Sequence, residues 1–165
     1  MNSIKVDDIT LIPLTKGYVA VIDTADAPLV LAYKWCAVRP RGETAYATTR
    51  VNGAPTSLHR LLMQSPPCDV DHINGDGIDC RRANMRLATR SQNIVNKPPS
   101  GALGIKGVHN YKGSGRYTAK ICVGGKQKHL GSFPDSISAG RAYDRAAFDA
   151  YGEYAWLNFP DEVAS

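Results

Sequence analysis

The chain has 165 residues, with 20 Lys and Arg against 15 Asp and Glu, for a formal charge of +5. That length holds one ordinary domain or two small ones and excludes a barrel enzyme or a full doubly wound nucleotide-binding fold. At 43% hydrophobic content the chain can form a core, while no apolar run reaches the roughly 20 residues of a membrane span.

The N-terminus lacks the apolar stretch of a secretory signal, so a cytoplasmic protein with no membrane association is expected. Residues 1–57 read as mainly extended. Ile9–Leu14 and Tyr18–Ile22 flank Lys16-Gly17 as a hairpin, and Asp26 with Pro28 starts a short helix through Ala32. Trp35–Arg39 and Tyr46–Val51 flank the turn residues Arg41-Gly42, and Asn52-Gly53 marks a second turn. The four cysteines, Cys36, Cys68, Cys80 and Cys122, contain no CxxC pair, which predicts unpaired and mostly buried thiols. Cys68, His72 and Cys80 lack a fourth zinc ligand in short-range register.

Between His59 and Asn96 the residues that bind metals or shape loops are dense. His59 is expected at the end of a strand. Val70-Asp71-His72-Ile73 reads as a short strand, followed by the loop Asn74-Gly75-Asp76-Gly77 and then Arg81-Arg82-Ala83-Asn84. A return strand, Arg86–Thr89, leads into a helix beginning about Arg90, where Thr89 and Gln92 have capping-box spacing. On that helix Arg90, Asn93 and Lys97 share a face, with Ile94 directed toward core. The arginines Arg81, Arg82, Arg86 and Arg90 read as surface residues or, for Arg90, as a clamp on phosphate.

Pro98-Pro99 and Gly101 mark a linker. Beyond it, Lys106–Tyr111, Tyr117–Val123 and Lys128–Phe133 are strand candidates, separated by Gly113-Ser114-Gly115 and Gly124-Gly125. Alternation in the second puts Tyr117, Ala119, Ile121 and Val123 on one side and Arg116, Thr118, Lys120 and Cys122 on the other. A helix then starts at Asp135-Ser136 and stops at Gly152, with Ile137, Ala142, Ala146, Ala147 and Tyr151 toward the sheet. The fold class expected is α+β. A small antiparallel β-rich part (1–57) and a ββα segment (about 58–97) precede a linker (98–103) and a three-stranded antiparallel sheet packed on one helix (104–165).

Charge is unevenly spread. From Gly104 to Phe133 there are six basic residues, Lys106, Lys112, Arg116, Lys120, Lys126 and Lys128, and no acid, with His109 and His129 among them. Pro134–Ser165 reverses this with six acids against Arg141 and Arg145. A phosphate-binding face and a solvated lysine-rich face both fit charge alone.

In the central segment Asp71 and Asn93 offer two oxygen donors to one cation, leaving room for water and phosphate, as Mg²⁺ prefers. His72 beside them is placed to act as general base for a water attacking phosphorus. This reading requires an imidazole open to solvent.

The strings His59-Arg60-Leu61-Leu62, Val70-Asp71-His72-Ile73-Asn74-Gly75-Asp76, Asn84-Met85-Arg86-Leu87 and Arg90-Ser91-Gln92-Asn93 resemble the HNH homing endonucleases of phages and group I introns. The twelve residues from His72 to Asn84 and nine more to Asn93 fit the branch whose final His is replaced by Asn. The resemblance makes 1–97 a nuclease domain. It implies that His72 activates water, that Asp71 and Asn93 hold Mg²⁺, with Mn²⁺ or another divalent ion able to substitute, and that Asn84 braces the loop. Hydrolysis of double-stranded DNA, in one strand or both, to a 5′-phosphate and a 3′-hydroxyl is then expected. His59 orients the site, contacts phosphate or is purely structural.

A second resemblance rests on Gly107-Val108, Tyr117–Ile121, Leu130–Phe133, Ala142–Ala147 and Leu157–Pro160, which are similar to the Apetala/ethylene-response-factor DNA-binding domain. It implies a sheet in the major groove, with Lys106, His109, Arg116, Lys120, Lys126, Lys128 and, from the preceding segment, Arg90 as DNA contacts. His109 stands where plant members usually carry Arg, so base preference does not transfer. A DNA-binding regulator with a vestigial nuclease site and an RNA-directed nuclease are the alternatives, and no obligatory protein partner is expected.

Overall fold

The structure, a computed structural model, describes residues 4–6, 8–40, 44–110 and 115–163. The Arg41-Gly42 turn, Lys112 and the residues 111–114 at the end of the first C-terminal strand candidate lie outside the described residues. The class is α+β, and among the described residues there are four small sheets whose strands all pair antiparallel. Among the described residues no helix is long and apolar enough to cross a membrane. The chain divides into two compact units, Met1–Thr89 and Arg90–Ser165.

In the first unit β1 (Ile4–Val6), β2 (Ile9–Pro13) and β3 (Val19–Asp23) form a sheet in sequence order. Alternation in β2 buries Thr10 and Ile12 and leaves Ile9 and Leu11 half-buried, as a one-faced sheet requires. The β2–β3 hairpin turns through Lys16 and Gly17, both at positive φ. Helix α1 (Ala27–Val30) carries Pro28 in its first turn and accepts the Trp35 indole N–H at the Val30 carbonyl, 2.9 Å away. A second sheet holds β4 (Cys36–Val38), β5 (Tyr46–Val51) and β6 (Ala54–Ser57), the last two joined by Asn52-Gly53 at φ 49 and 82. Helix α2 (Leu58–Leu62) follows at once. His59 therefore sits in the first turn of a helix rather than at a strand end, because Leu58 and Leu62, four apart, bury one helical face.

The third sheet is the two-stranded pair β7 (Asp69–His72) and β8 (Met85–Ala88). The loop between them is stitched to β3 by a parallel bridge, in which Val21 N–H donates to Ile78 O at 2.9 Å and Cys80 N–H to Val21 O at 2.8 Å. A single core runs beneath these pieces through Ile12, Ile22, Val30, Trp35, Leu58, Leu62, Cys80 and Met85. The cysteines are all free, but only Cys80 is buried; Cys36 and Cys122 are exposed because each ends or edges a strand on its open side.

The second unit begins with α3 (Arg90–Val95). The boundary falls upstream of Pro98-Pro99 because the end of α3 is bonded within this unit. The Val95 carbonyl accepts from Trp156 N–H at 3.3 Å and from the Lys106 ammonium. Contrary to expectation Ile94 is 53% exposed, and Val95 and Asn96 are buried instead.

Strands β9 (Val108–Asn110), β10 (Tyr117–Val123) and β11 (Lys126–Phe133) form a sheet with β10 central. Gly107 enters it at φ 74, and a Cβ there would meet the Tyr143 ring at 1.9 Å, so only glycine fits. Helix α4 (Ser136–Tyr151) is capped by the Asp135 carboxylate, which accepts from Ser138 N–H at 2.7 Å, and it stops at Gly152, φ 56. Its buried stripe is Ala139, Tyr143 and Ala147, with Ala142, Ala146 and Tyr151 packed beside it as expected, whereas Ile137 is 47% exposed rather than turned toward the sheet. Asp144, fully buried, accepts from Asn158 N and Nδ2, both at 2.9 Å, and from Phe159 N at 2.7 Å, tying the C-terminal segment to α4.

Candidate active site

The β7–β8 hairpin presents its end residues as cross-strand pairs, Asp71 opposite Arg86 and His72 opposite Met85. Residues 73–84 form the intervening loop. Asn84 organises it: Asn84 Nδ2 donates to Asn74 Oδ1 at 2.9 Å and to Asp79 O at 2.8 Å, and Asn84 Oδ1 accepts from Asn74 N at 3.0 Å. Asn74 in turn donates to Asp79 Oδ2 at 2.9 Å, and Arg81 closes on both Asp79 oxygens at 2.6–2.7 Å. That guanidinium holds the Asp79 carboxyl below the usual carboxylate range.

Asp71 is 3% exposed and its Oδ2 accepts from Arg86 Nε at 2.9 Å. Arg86 is itself largely buried, with 12% of its side chain exposed, so it fixes a buried carboxylate rather than solvating the surface. Arg82 pairs likewise with Asp26. His72 is buried at 6% exposure, so the open imidazole expected from the sequence is not what the fold provides. It stands in a cluster of three rings: centroids lie 5.1 Å from His59, nearly perpendicular, and 6.2 Å from Tyr46, with Tyr46 and His59 5.7 Å apart. Burial pushes His72 below the ordinary imidazole value, against the raising pull of Asp71, Asp76 and Asp79. Burial, with His72 and Arg60, takes His59 down to about 3. Both rings are therefore neutral near pH 7, and a neutral imidazole is the form that can accept a proton. His59 Nδ1 is buried and has no hydrogen-bond partner.

Asn93 is half-buried and Arg90 exposed, both on α3 in the second unit. The chain order strand–loop–strand–helix of the sequence motif is present as β7, β8 and α3. Carboxylate and carboxamide oxygens suit a hard divalent cation in an open site. Among the described residues no group of three or more His, Cys, Asp or Glu is arranged to hold a metal, which leaves no closed zinc centre there.

The basic residues of the second unit do not share one face. Thr118 pairs with His109 and Ser132, and Lys120 with His129, on the side away from α4. Ile121, packed with Tyr143 and Ala147, pairs with Lys128, and Val123 pairs with Lys126, so these two lysines are exposed on the helix side. The cause is a bulge between Ala119 and Lys120 that skips Leu130 and reverses the facing of β11 toward its N-terminal end. Lys106 precedes β9, and its ammonium is taken by the Val95 and Lys97 carbonyls; burial lowers it to about 8. Arg116, exposed, donates to Ser132 O at 2.7 Å.

Sequence reasoning missed three residues at this site. Arg86 was legible only from the register that sets it opposite Asp71, and Tyr46 comes from a distant strand. The third is Cys80, whose Sγ lies 3.8 Å from His72 Nε2.

Comparison with known proteins matches residues 64–95 to the HNH endonuclease family, a span that takes in β7, β8 and α3. A protein of Acanthamoeba polyphaga mimivirus described as an uncharacterized HNH endonuclease is 30% identical over 156 residues, covering 90% of this chain and 79% of that relative. APETALA2-like protein 2 of Oryza sativa subsp. indica is 38% identical over 84 residues, 48% of this chain and 19% of the relative. An AP2-like ethylene-responsive transcription factor of Arabidopsis thaliana is 42% identical over 62 residues, 38% of this chain and 13% of the relative. The motif built around Asp71 and His72 thus reflects kinship that extends along most of both chains: this protein belongs to the HNH endonucleases and is a DNA endonuclease.

Proposed function

We propose that the protein hydrolyses phosphodiester bonds in double-stranded DNA with His72 as general base and a divalent cation on Asp71 and Asn93. Divalent-metal dependence is general among HNH nucleases. The observation that carries the reading is the buried Asp71–His72 pair at the end of β7, held by Arg86 and by a loop braced through Asn84, inside the family-matched segment. When bound, the cation polarises the scissile phosphate and offsets charge on the leaving oxygen. The rest falls to the chain's own groups. His72 accepts the proton of the attacking water, Asp71 supplies a fixed carboxylate oxygen, and Asn93, assigned from its place in the motif, supplies a carboxamide oxygen. Asn84 holds the loop and takes no proton. Mg²⁺ is the ion expected, with Mn²⁺ as a substitute.

The second unit is proposed as an Apetala/ethylene-response-factor-like DNA-binding domain that reads duplex DNA through the sheet face carrying His109, Arg116, Lys120 and His129. Supercoiled plasmid incubated with Mg²⁺ or with EDTA tests the whole. Nicked or linear product with Mg²⁺ alone supports it, whereas cutting unaffected by EDTA removes the cation from the mechanism. A regulator with a vestigial nuclease site is favoured by one observation, the 6% exposure of His72, and predicts DNA retention with no cutting under any divalent ion.

A further inference from the structure

Helix α3 carries Asn93 but has only six residues, Arg90–Val95, too few for a helix to hold itself in water. Its last turn is secured from elsewhere in the second unit. Asn96 N–H and Lys97 N–H close the turn on Gln92 O and Ile94 O at 3.2 and 3.3 Å, and the Val95 carbonyl accepts from Trp156 N–H at 3.3 Å. A further partner is Lys106, whose ammonium donates to Val95 O and, at 2.5 Å, to Lys97 O. The sense of these bonds is fixed, since an ammonium only donates and a carbonyl oxygen only accepts.

Lys106 is held in turn by its own backbone. Asn158 Oδ1 accepts from Lys106 N–H at 2.7 Å, and Asn158 Nδ2 donates to Lys106 O at 3.2 Å. The buried Asp144 of α4 holds Asn158, and the next carbonyl, that of Gly107, accepts from Lys120 N–H of β10 at 2.8 Å. The side chain therefore leaves a point tied to both β10 and α4 and reaches back to the end of α3. Burial lowers the ammonium to about 8, which marks it as withdrawn from the water through which a phosphate would approach.

We propose that Lys106 is a positioning residue, which clasps the C-terminal end of α3 and so fixes the helix that carries Asn93, rather than a contact to DNA phosphate. No bond is made or broken at Lys106. The consequence for cleavage rests on the reading of Asn93 as a cation ligand, whereas the clasp lies within the second unit and stands without it. Groups that hold a metal ligand from behind change metal affinity or activity about 10- to 100-fold when removed.

Lysine acetylation of the full wild-type chain, followed by mass spectrometry with and without a duplex in EDTA, reads the clasp directly. Lys106 should react slowly in both states, while Lys120 is shielded only by DNA. A Lys106 that reacts as fast as Lys126 in the free chain and is shielded by the duplex overturns the proposal without any variant. In Lys106→Met, with folding checked by thermal melt, the Asn96, Lys97 and Trp156 amides should exchange at least about 10-fold faster, since they share the end of α3. The salt slope of duplex binding should stay as in wild type, and its flattening by about 0.9 would make Lys106 a phosphate contact instead. The Mg²⁺ concentration for half-maximal cleavage should rise about 10-fold, with Lys106→Arg, which keeps the donors, restoring it. Unchanged exchange refutes the clasp, and a normal Mg²⁺ requirement beside a raised one in Asn93→Ala refutes the positioning role. An Asn93→Ala chain with the wild-type Mg²⁺ requirement sinks the ligand reading instead, and leaves acetylation and exchange to decide the clasp.

Discussion

Replacing Arg116 and Lys120 by Ala together is expected to weaken duplex binding and to flatten its salt dependence, while replacing Lys126 and Lys128 leaves both nearly unchanged. Each phosphate contact contributes about −0.9 to the slope of log affinity against log salt. If all six basic residues between Gly104 and Phe133 met phosphates, that stretch would contribute a slope of about −5. The register leaves Lys120 on the face away from α4, and strand alternation assigns the exposed Arg116 just before β10 to the same side, so their joint loss should flatten the slope by about 2. Fluorescence anisotropy on a labelled duplex in EDTA, from about 50 to about 200 mM salt, measures this without cleavage. Equal flattening by the Lys126 and Lys128 pair would refute the assignment of faces.

Arg86→Leu should leave the Asp71 carboxylate buried without its guanidinium and cost about 3–5 kcal/mol by urea unfolding; a loss below about 1 kcal/mol would show that the pair is incidental. Asp144→Ala removes the acceptor for three N–H donors and should cost upwards of about 3 kcal/mol, with Asn158 and the C-terminal segment losing hydrogen-exchange protection first. Acid should destabilise the fold early. His59 is held near 3 when folded but titrates near its ordinary value when unfolded, so the unfolded chain binds the extra proton between those limits. Stability should then fall with decreasing pH by about 1.4 kcal/mol per unit for each such histidine. His72, lowered in the same sense, adds to the slope, and His59→Phe should remove the His59 share.

Much of the scaffold was legible because local patterns decided it. Alternation placed β2, β3 and β10, Asn52-Gly53 placed the β5–β6 turn, and Asp135 and Gly152 placed both ends of α4. The chain order of the motif, with Asp71 and His72 closing one strand and Asn93 on the following helix, was also legible as spacing. What was not legible depends on register and on distant segments. A single bulge beside Lys120 turned Lys126 and Lys128 to the other side of their sheet, which strict alternation cannot foresee. The Arg86–Asp71 pair needs the hairpin register, and the rings around His72 come from β5 and α2. Helix α2 was missed because its five residues are too few to display a period. The same rings bury His72, where the sequence alone suggested an imidazole facing water.

Single-turnover cleavage of a labelled duplex by wild type and His72→Ala, both at DNA concentrations above their measured Kd, addresses the central chemistry most directly. The account predicts that the variant binds DNA as tightly as wild type and loses at least about 100-fold in cleavage rate. Cleavage by the variant at the wild-type rate would contradict it and place the base elsewhere.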